Sequence, residues 1–210
     1  MNLIYKSTRN NAETATASQA ILKGLADQGG HYVPVEIPKL SVSLSALADM
    51  TYQEMAYEVM KLFLTDFTEE ELKYCITHAY DSKFDTPAIA ELVKKDEVHF
   101  LELFHGATIA FKDMALSILP YLLTTALKKE NEDKKICILT ATSGDTGKAA
   151  LEGFKDVEGT SILVLYPEDG VSPMQKRQMT TQEGSNVGVC AIKGNFDDCQ
   201  NAVKDAFIKL

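Results

Sequence analysis

Ile136-Cys137-Ile138-Leu139-Thr140-Ala141-Thr142-Ser143-Gly144-Asp145-Thr146-Gly147-Lys148 decides the fold. Ile136 to Ala141 is an apolar run without polar alternation, the pattern of a strand covered on both faces. A turn of small and hydroxyl-bearing residues follows, and then a helical segment from Lys148 to Phe154. Ser161 to Tyr166 is the next apolar run. Ser172-Pro173 opens another helix as N-cap and first-turn proline, and Val187 to Ile192 is a third strand. It leads to a helix with apolar positions Ala202, Val203, Ala206, Phe207 and Leu210. Strands of this kind spaced by single helices imply a parallel sheet with helices on both faces, so the class is α/β.

Ligands of open parallel sheets bind beyond the carboxyl ends of the strands, which makes the turn Thr142 to Gly147 a candidate site. Hydroxyls and the N–H groups of a helix start suit an anion, although a plain capping turn uses the same residue types. Gly147-Lys148 invites comparison with a phosphate-cradling loop of pattern G-x-x-x-x-G-K-[ST]. The pattern fails at both ends: Thr142 stands at the first glycine and Ala149 follows the lysine, so no hydroxyl is offered to magnesium. There is no G-x-G-x-x-G either.

Upstream lies His105-Gly106-Ala107-Thr108-Ile109-Ala110-Phe111-Lys112-Asp113, between an apolar segment, Val98 to Phe104, and a helix with apolar positions at 111, 115, 118, 119, 122 and 126. This spacing puts Lys112 in the first helical turn. N–H groups and the macrodipole there favour negative charge and would push an ammonium toward the neutral amine, a nucleophile able to condense with an aldehyde. Most lysines are solvated surface charges, but this one lies among apolar neighbours. His105, in the same loop, is a candidate for lining its site. Pro120 predicts a kink or a short first helical segment, and the charged run 128–135 predicts a linker.

The first ninety residues read as mainly helical. Leu3 to Thr8 is a short strand, and Ser18 to Ala26 a helix stopping before Gly29-Gly30. Thr51/Glu54 and Thr68/Glu71 are spaced as capping boxes ahead of two amphipathic helices. His31, His78 and His99 lack partners at metal-ligand spacing and read as structural or surface residues. Cys75, Cys137, Cys190 and Cys199 likewise show no metal spacing; they read as reduced thiols, with Cys137 and Cys190 in buried strands. The 210 residues carry a net charge of −9 with 45% hydrophobic residues and only two arginines. That balance supports a packed core and argues against nucleic acid or an anionic membrane as partner. With no leader-like start and no apolar stretch of about eighteen residues, a soluble cytoplasmic protein is expected.

Six segments, in order, resemble the threonine synthase family: Asp27 to Pro34, His105 to Asp113, Thr142 to Gly147, Tyr166 to Pro173, Gln178 to Gly184 and Gly194 to Gln200. Ala107 stands where the family pattern usually has proline, and Glu168 where lysine is common. The resemblance implies a fold-type II pyridoxal-phosphate architecture (tryptophan synthase β-like) with a three-layer parallel α/β subdomain incomplete at the C-terminus. The division it suggests is a helical region 1–92, a segment 93–131 carrying the cofactor lysine, and a subdomain 132–210. It implies conversion of O-phospho-L-homoserine and water to L-threonine and phosphate. Lys112 would hold pyridoxal phosphate and serve as the catalytic base, with Asp145 and His105 also at the cofactor. Ser143, Gly144 and Thr146 would receive the substrate carboxylate, and no metal is implied. The cofactor's phosphate loop and the partner of its pyridine nitrogen come later in the family, so the chain is expected to be an inactive N-terminal fragment. Competing readings are a sister enzyme, such as a threonine dehydratase or cysteine synthase, and a non-catalytic phospho-ligand binding module.

Overall fold

The structure, a computed structural model, describes residues 2–209. In chain order its first elements are β1 (Tyr5–Ser7), β2 (Thr14–Ala15), α1 (Ala17–Lys23), β3 (Tyr32–Pro34), α2 (Leu44–Ala48), α3 (Tyr52–Phe63) and α4 (Glu69–Ala79). Then come β4 (Leu92–Lys95), β5 (Val98–Leu101), α5 (Asp113–Leu116) and α6 (Leu119–Lys129). The last third holds β6 (Ile136–Ala141), α7 (Asp145–Phe154), β7 (Thr160–Pro167), α8 (Pro173–Thr180), β8 (Val187–Ile192) and α9 (Phe196–Lys209). Leu210, placed on the last helix from the sequence, lies outside the described residues. Among these, no helix is long and apolar enough to cross a membrane.

The chain forms two compact units, 1–82 with 121–133, and 83–120 with 134–210. In the first, β1 is the centre of an antiparallel sheet ordered β2-β1-β3. Helix α1 ends at Gly24, whose φ of +70° is one only glycine adopts cheaply, so it stops a turn before the point expected from Gly29-Gly30. Both anticipated capping boxes form: Thr51 and Thr68 accept from the backbone N–H of Glu54 and Glu71, whose carboxylates bind back. Leu72, Cys75, Ile76 and Ala79 of α4 pack into a core with Leu122, Leu123 and Ala126 of α6. Burial pushes the Cys75 thiol up. His31, His78 and His99 are exposed.

The second unit is built on the parallel sheet β6-β7-β8. The bounds of β6 and β8 match the apolar runs read from the sequence, and Ser172 caps α8 with Pro173 in its first turn. One sheet face, with Ile162, Val164 and Tyr166, is buried, and Val164 meets α7 at Gly147. The opposite face is not sealed. Although α9 lies against β6 and β7, Cys137, Ser161, Leu163 and Cys190 stay exposed. The expectation of buried Cys137 and Cys190 is thus corrected: the cover on their face of the sheet is incomplete and leaves both exposed. All four cysteines are free, with Cys75 and Cys199 buried.

A second correction concerns the segment before the lysine motif. Val98–Leu101 does not join the parallel sheet; it pairs antiparallel with Leu92–Lys95 in a hairpin whose Leu92, Val98, Phe100 and Leu101 are exposed. Lys112 therefore follows a long loop rather than a strand. The helical stretch after it is broken as Pro120 predicts, with α5 ending at Leu116 and α6 starting just before Pro120. Proline has no N–H to donate and fits the first turn of a helix, which explains the short first segment.

Candidate active site

Lys112 stands immediately before α5, at φ −68° and ψ −17°. Two contacts seat this helix along α7. At its end, the Leu116 carbonyl oxygen lies against Gly153, where a Cβ would strike it. At its start, Lys112 Nζ donates to Asp145 Oδ2 at 2.9 Å, in the first turn of α7. The amine the sequence singles out is thus brought to the turn at the carboxyl end of β6. Its side chain is 27% exposed, and Nζ lies 4.0 Å from the centre of the Phe111 ring, a cation–π arrangement. The hydrogen bond from Lys112 holds the Asp145 carboxyl below its ordinary value. One expectation changes: α5 has only four residues, too few for a strong macrodipole, and the group facing the nitrogen is a carboxylate.

The loop before Lys112 is folded around Asp113, a residue whose role sequence reasoning missed. Its carboxylate, 4% exposed, accepts from Thr108 N at 2.8 Å and from Thr108 Oγ1 at 2.6 Å. Gly106 makes room for it, since a Cβ there would come within 2.5 Å of Asp113 Cβ and Oδ2. Ile109 sits at φ +63°, a region that costs a β-branched residue about 1–3 kcal/mol. A strained non-glycine residue three positions from the lysine has no signature in the sequence.

His105, seven residues before Lys112, has both ring nitrogens taken up by carboxylates. Its Nδ1 is 2.6 Å from Asp85 Oδ1 and its Nε2 3.0 Å from Glu102 Oε2. Those bonds, Asp85 first, push its pKa up. It ties the segment around Asp85 to the start of the loop, reinforced by the Asp85 N–H donating to the His105 carbonyl. Glu91 converges on the same imidazole with Glu102. Both ring nitrogens are already engaged, so the trio reads as an ion-pair network.

The turn after β6 is organised by Thr142, 2% exposed. Its Oγ1 accepts from Gly144 N at 3.0 Å and Gly147 N at 2.9 Å and donates to the Gly144 carbonyl. Gly144, at φ +157° and ψ −101°, lies beneath the Gln175 side chain, which a Cβ would hit. Thr146 N donates to Asp145 Oδ1 at 2.8 Å. Two of the amides expected to face an anion, Gly144 and Thr146, are therefore spent within the turn, while Ser143 is exposed. Lys148 points elsewhere, pairing with Glu152 at 3.2 Å and bonding Gln182. Interior glycines such as Gly147 and Gly153 were the one available hint of close helix packing.

Comparison with known proteins agrees with the resemblance. A family model described as threonine synthase N terminus matches residues 4–80. Threonine synthase from Eremothecium gossypii is 38% identical over 99% of the chain and 44% of its own length, and that from Schizosaccharomyces pombe is 40% identical over 97% and 41%. The crystal structure of pyridoxal-phosphate-bound threonine synthase from Brucella melitensis superposes with a TM-score of 0.89 at 38% identity, over the whole chain and 45% of that structure. The chain thus spans less than half the length of the relatives it matches. By sequence and by fold the chain is similar to the N-terminal portion of the threonine synthases.

Proposed function

We propose that this chain carries the cofactor lysine of a cytoplasmic threonine synthase, acting on O-phospho-L-homoserine and water to give L-threonine and phosphate. The observation that carries the reading is the contact of Lys112 Nζ with Asp145 at the carboxyl end of β6. The site fits an aldehyde cofactor: it offers one primary amine, partly screened from water, beside an aromatic face and a carboxylate. Pyridoxal phosphate, when bound, supplies the electron sink for carbanion chemistry. Lys112 then takes and returns protons at the substrate carbon, a role suited to an amine at the mouth of the site. Asp145 holds Nζ in place. The exposed Ser143 and the hydroxyl of Thr146, at the start of α7, orient the substrate carboxylate. The Thr142 brace fixes the shape of that turn, and His105, held by Asp85 and Glu102, anchors the start of the lysine loop.

Titrating the enzyme that contains this chain with pyridoxal phosphate tests this reading. One equivalent should produce a visible absorption band, and Lys112→Ala should lack it. A band retained undiminished in Lys112→Ala refutes the assignment. In the enzyme containing this chain, phosphate release from O-phospho-L-homoserine, against ammonia or sulfide chemistry with other amino acids, separates threonine synthase from its sister enzymes.

A further inference from the structure

We propose that Asp113, acting through Thr108, is a positioning residue that aims the Lys112 amine at Asp145; the inference rests on the reading of Lys112 as the cofactor lysine. Asp113 never reaches the site. Both its oxygens are turned inward, to the backbone N–H and the hydroxyl of Thr108 at 2.8 and 2.6 Å. Neighbouring residues at a helix start point about 100° apart, so fixing Asp113 inward fixes the direction in which Lys112 leaves the backbone.

The same clasp holds the loop in a conformation it would otherwise leave. Ile109 keeps φ at +63° while its N–H donates to the Gly106 carbonyl at 3.0 Å, and the Asp113 N–H donates to the Ala110 carbonyl at 3.0 Å. Strained backbone of this sort persists only where its surroundings over-determine it, and here Thr108, directly before Ile109, is pinned from both its N–H and its hydroxyl. Released from Asp113, Ile109 can return to negative φ. The loop then swings and Nζ loses Asp145, although no atom contacting Nζ has been altered.

The test compares Thr108→Val, which keeps the shape and the N–H but deletes the hydroxyl, with Thr108→Ser, which keeps it. Brief acetylation of the 210-residue chain, mapped by peptide mass spectrometry, reports Lys112 against the other lysines without any cofactor. Paired and partly covered, Lys112 should react slowly in the wild type. Its share should rise roughly ten-fold in Thr108→Val, the loss of one hydrogen bond to a charged group, and stay near wild type in Thr108→Ser. Affinity for pyridoxal phosphate by spectral titration should fall by a similar factor in the valine variant alone. A merely structural clasp would lower the melting temperature and move neither readout; a folded Thr108→Val with unchanged acetylation overturns the proposal. Should that variant not fold, Asp113→Asn, which keeps one of the two acceptors, should raise the Lys112 share several-fold, and an unchanged share is again decisive. If the enzyme containing this chain binds no pyridoxal phosphate, the functional reading fails, and the acetylation arm still decides the positioning claim.

Discussion

Replacing Gly153 with alanine tests the seating of α5 on α7, on which the site geometry depends. Gly153 is the next-to-last residue of α7, where helix propensity alone predicts that alanine stabilises by at most about 1 kcal/mol. The structure predicts the opposite. A Cβ at this position meets the Leu116 carbonyl oxygen and comes 3.1 Å from the carbonyl carbon. Both are backbone atoms, so relief requires α5 to move as a body. Overpacking of this kind costs about 1–3 kcal/mol, leaving a net loss of up to about 2 kcal/mol after the propensity gain. For a chain of this size that is a fall in melting temperature of a few degrees, at about 2–4 °C per kcal/mol. Circular dichroism melts supply the number, and acetylation of Lys112 reports whether the start of α5 has left Asp145. A melting temperature raised by a few degrees, with Lys112 reactivity unchanged, would show that Leu116 does not rest on Gly153.

Three further outcomes follow from the same geometry. Thr142→Val removes the acceptor of two buried amides, Gly144 and Gly147, and should cost about 2–5 kcal/mol; denaturant unfolding showing a loss below experimental error contradicts the brace. Gly144→Ala should weaken the turn by about 1–3 kcal/mol, because φ +157° disfavours any side chain and Gln175 fills the space; Gln175→Gly in the same chain should recover part of that loss and no more. His105, with its pKa raised above 6.5 chiefly by Asp85 and then Glu102, contributes stability that is full below the unfolded value and lost as pH rises through the folded one. The melting-temperature advantage of wild type over His105→Gln should therefore shrink toward alkaline pH, and a constant gap would exclude a charged bridge.

Local chemistry was legible in the chain and long-range partnership was not. The capping boxes at Thr51 and Thr68, the proline-led start of α8 and the break ahead of Pro120 are written within three or four residues, and each was found in place. Ile136–Ala141 and Val187–Ile192 were bounded correctly because apolar runs end sharply at polar or glycine residues. The same runs misled on Cys137 and Cys190, since an apolar strand does not say whether a neighbour covers each face. His105 was expected beside Lys112 on sequence proximity; its main partner, Asp85, lies twenty residues back. Asp113 was read as the neighbour of a lysine, and only folding the loop shows its carboxylate turned inward onto Thr108. Gly24 ended α1 where the double glycine further on had drawn attention.

The claim that one of nineteen lysines is set apart for an aldehyde is tested most directly by reducing the complex with pyridoxal phosphate and mapping the modified peptide. The account predicts close to one pyridoxyl group per chain, carried on Lys112. Label spread over the surface lysines, or concentrated on any residue other than Lys112, would contradict it.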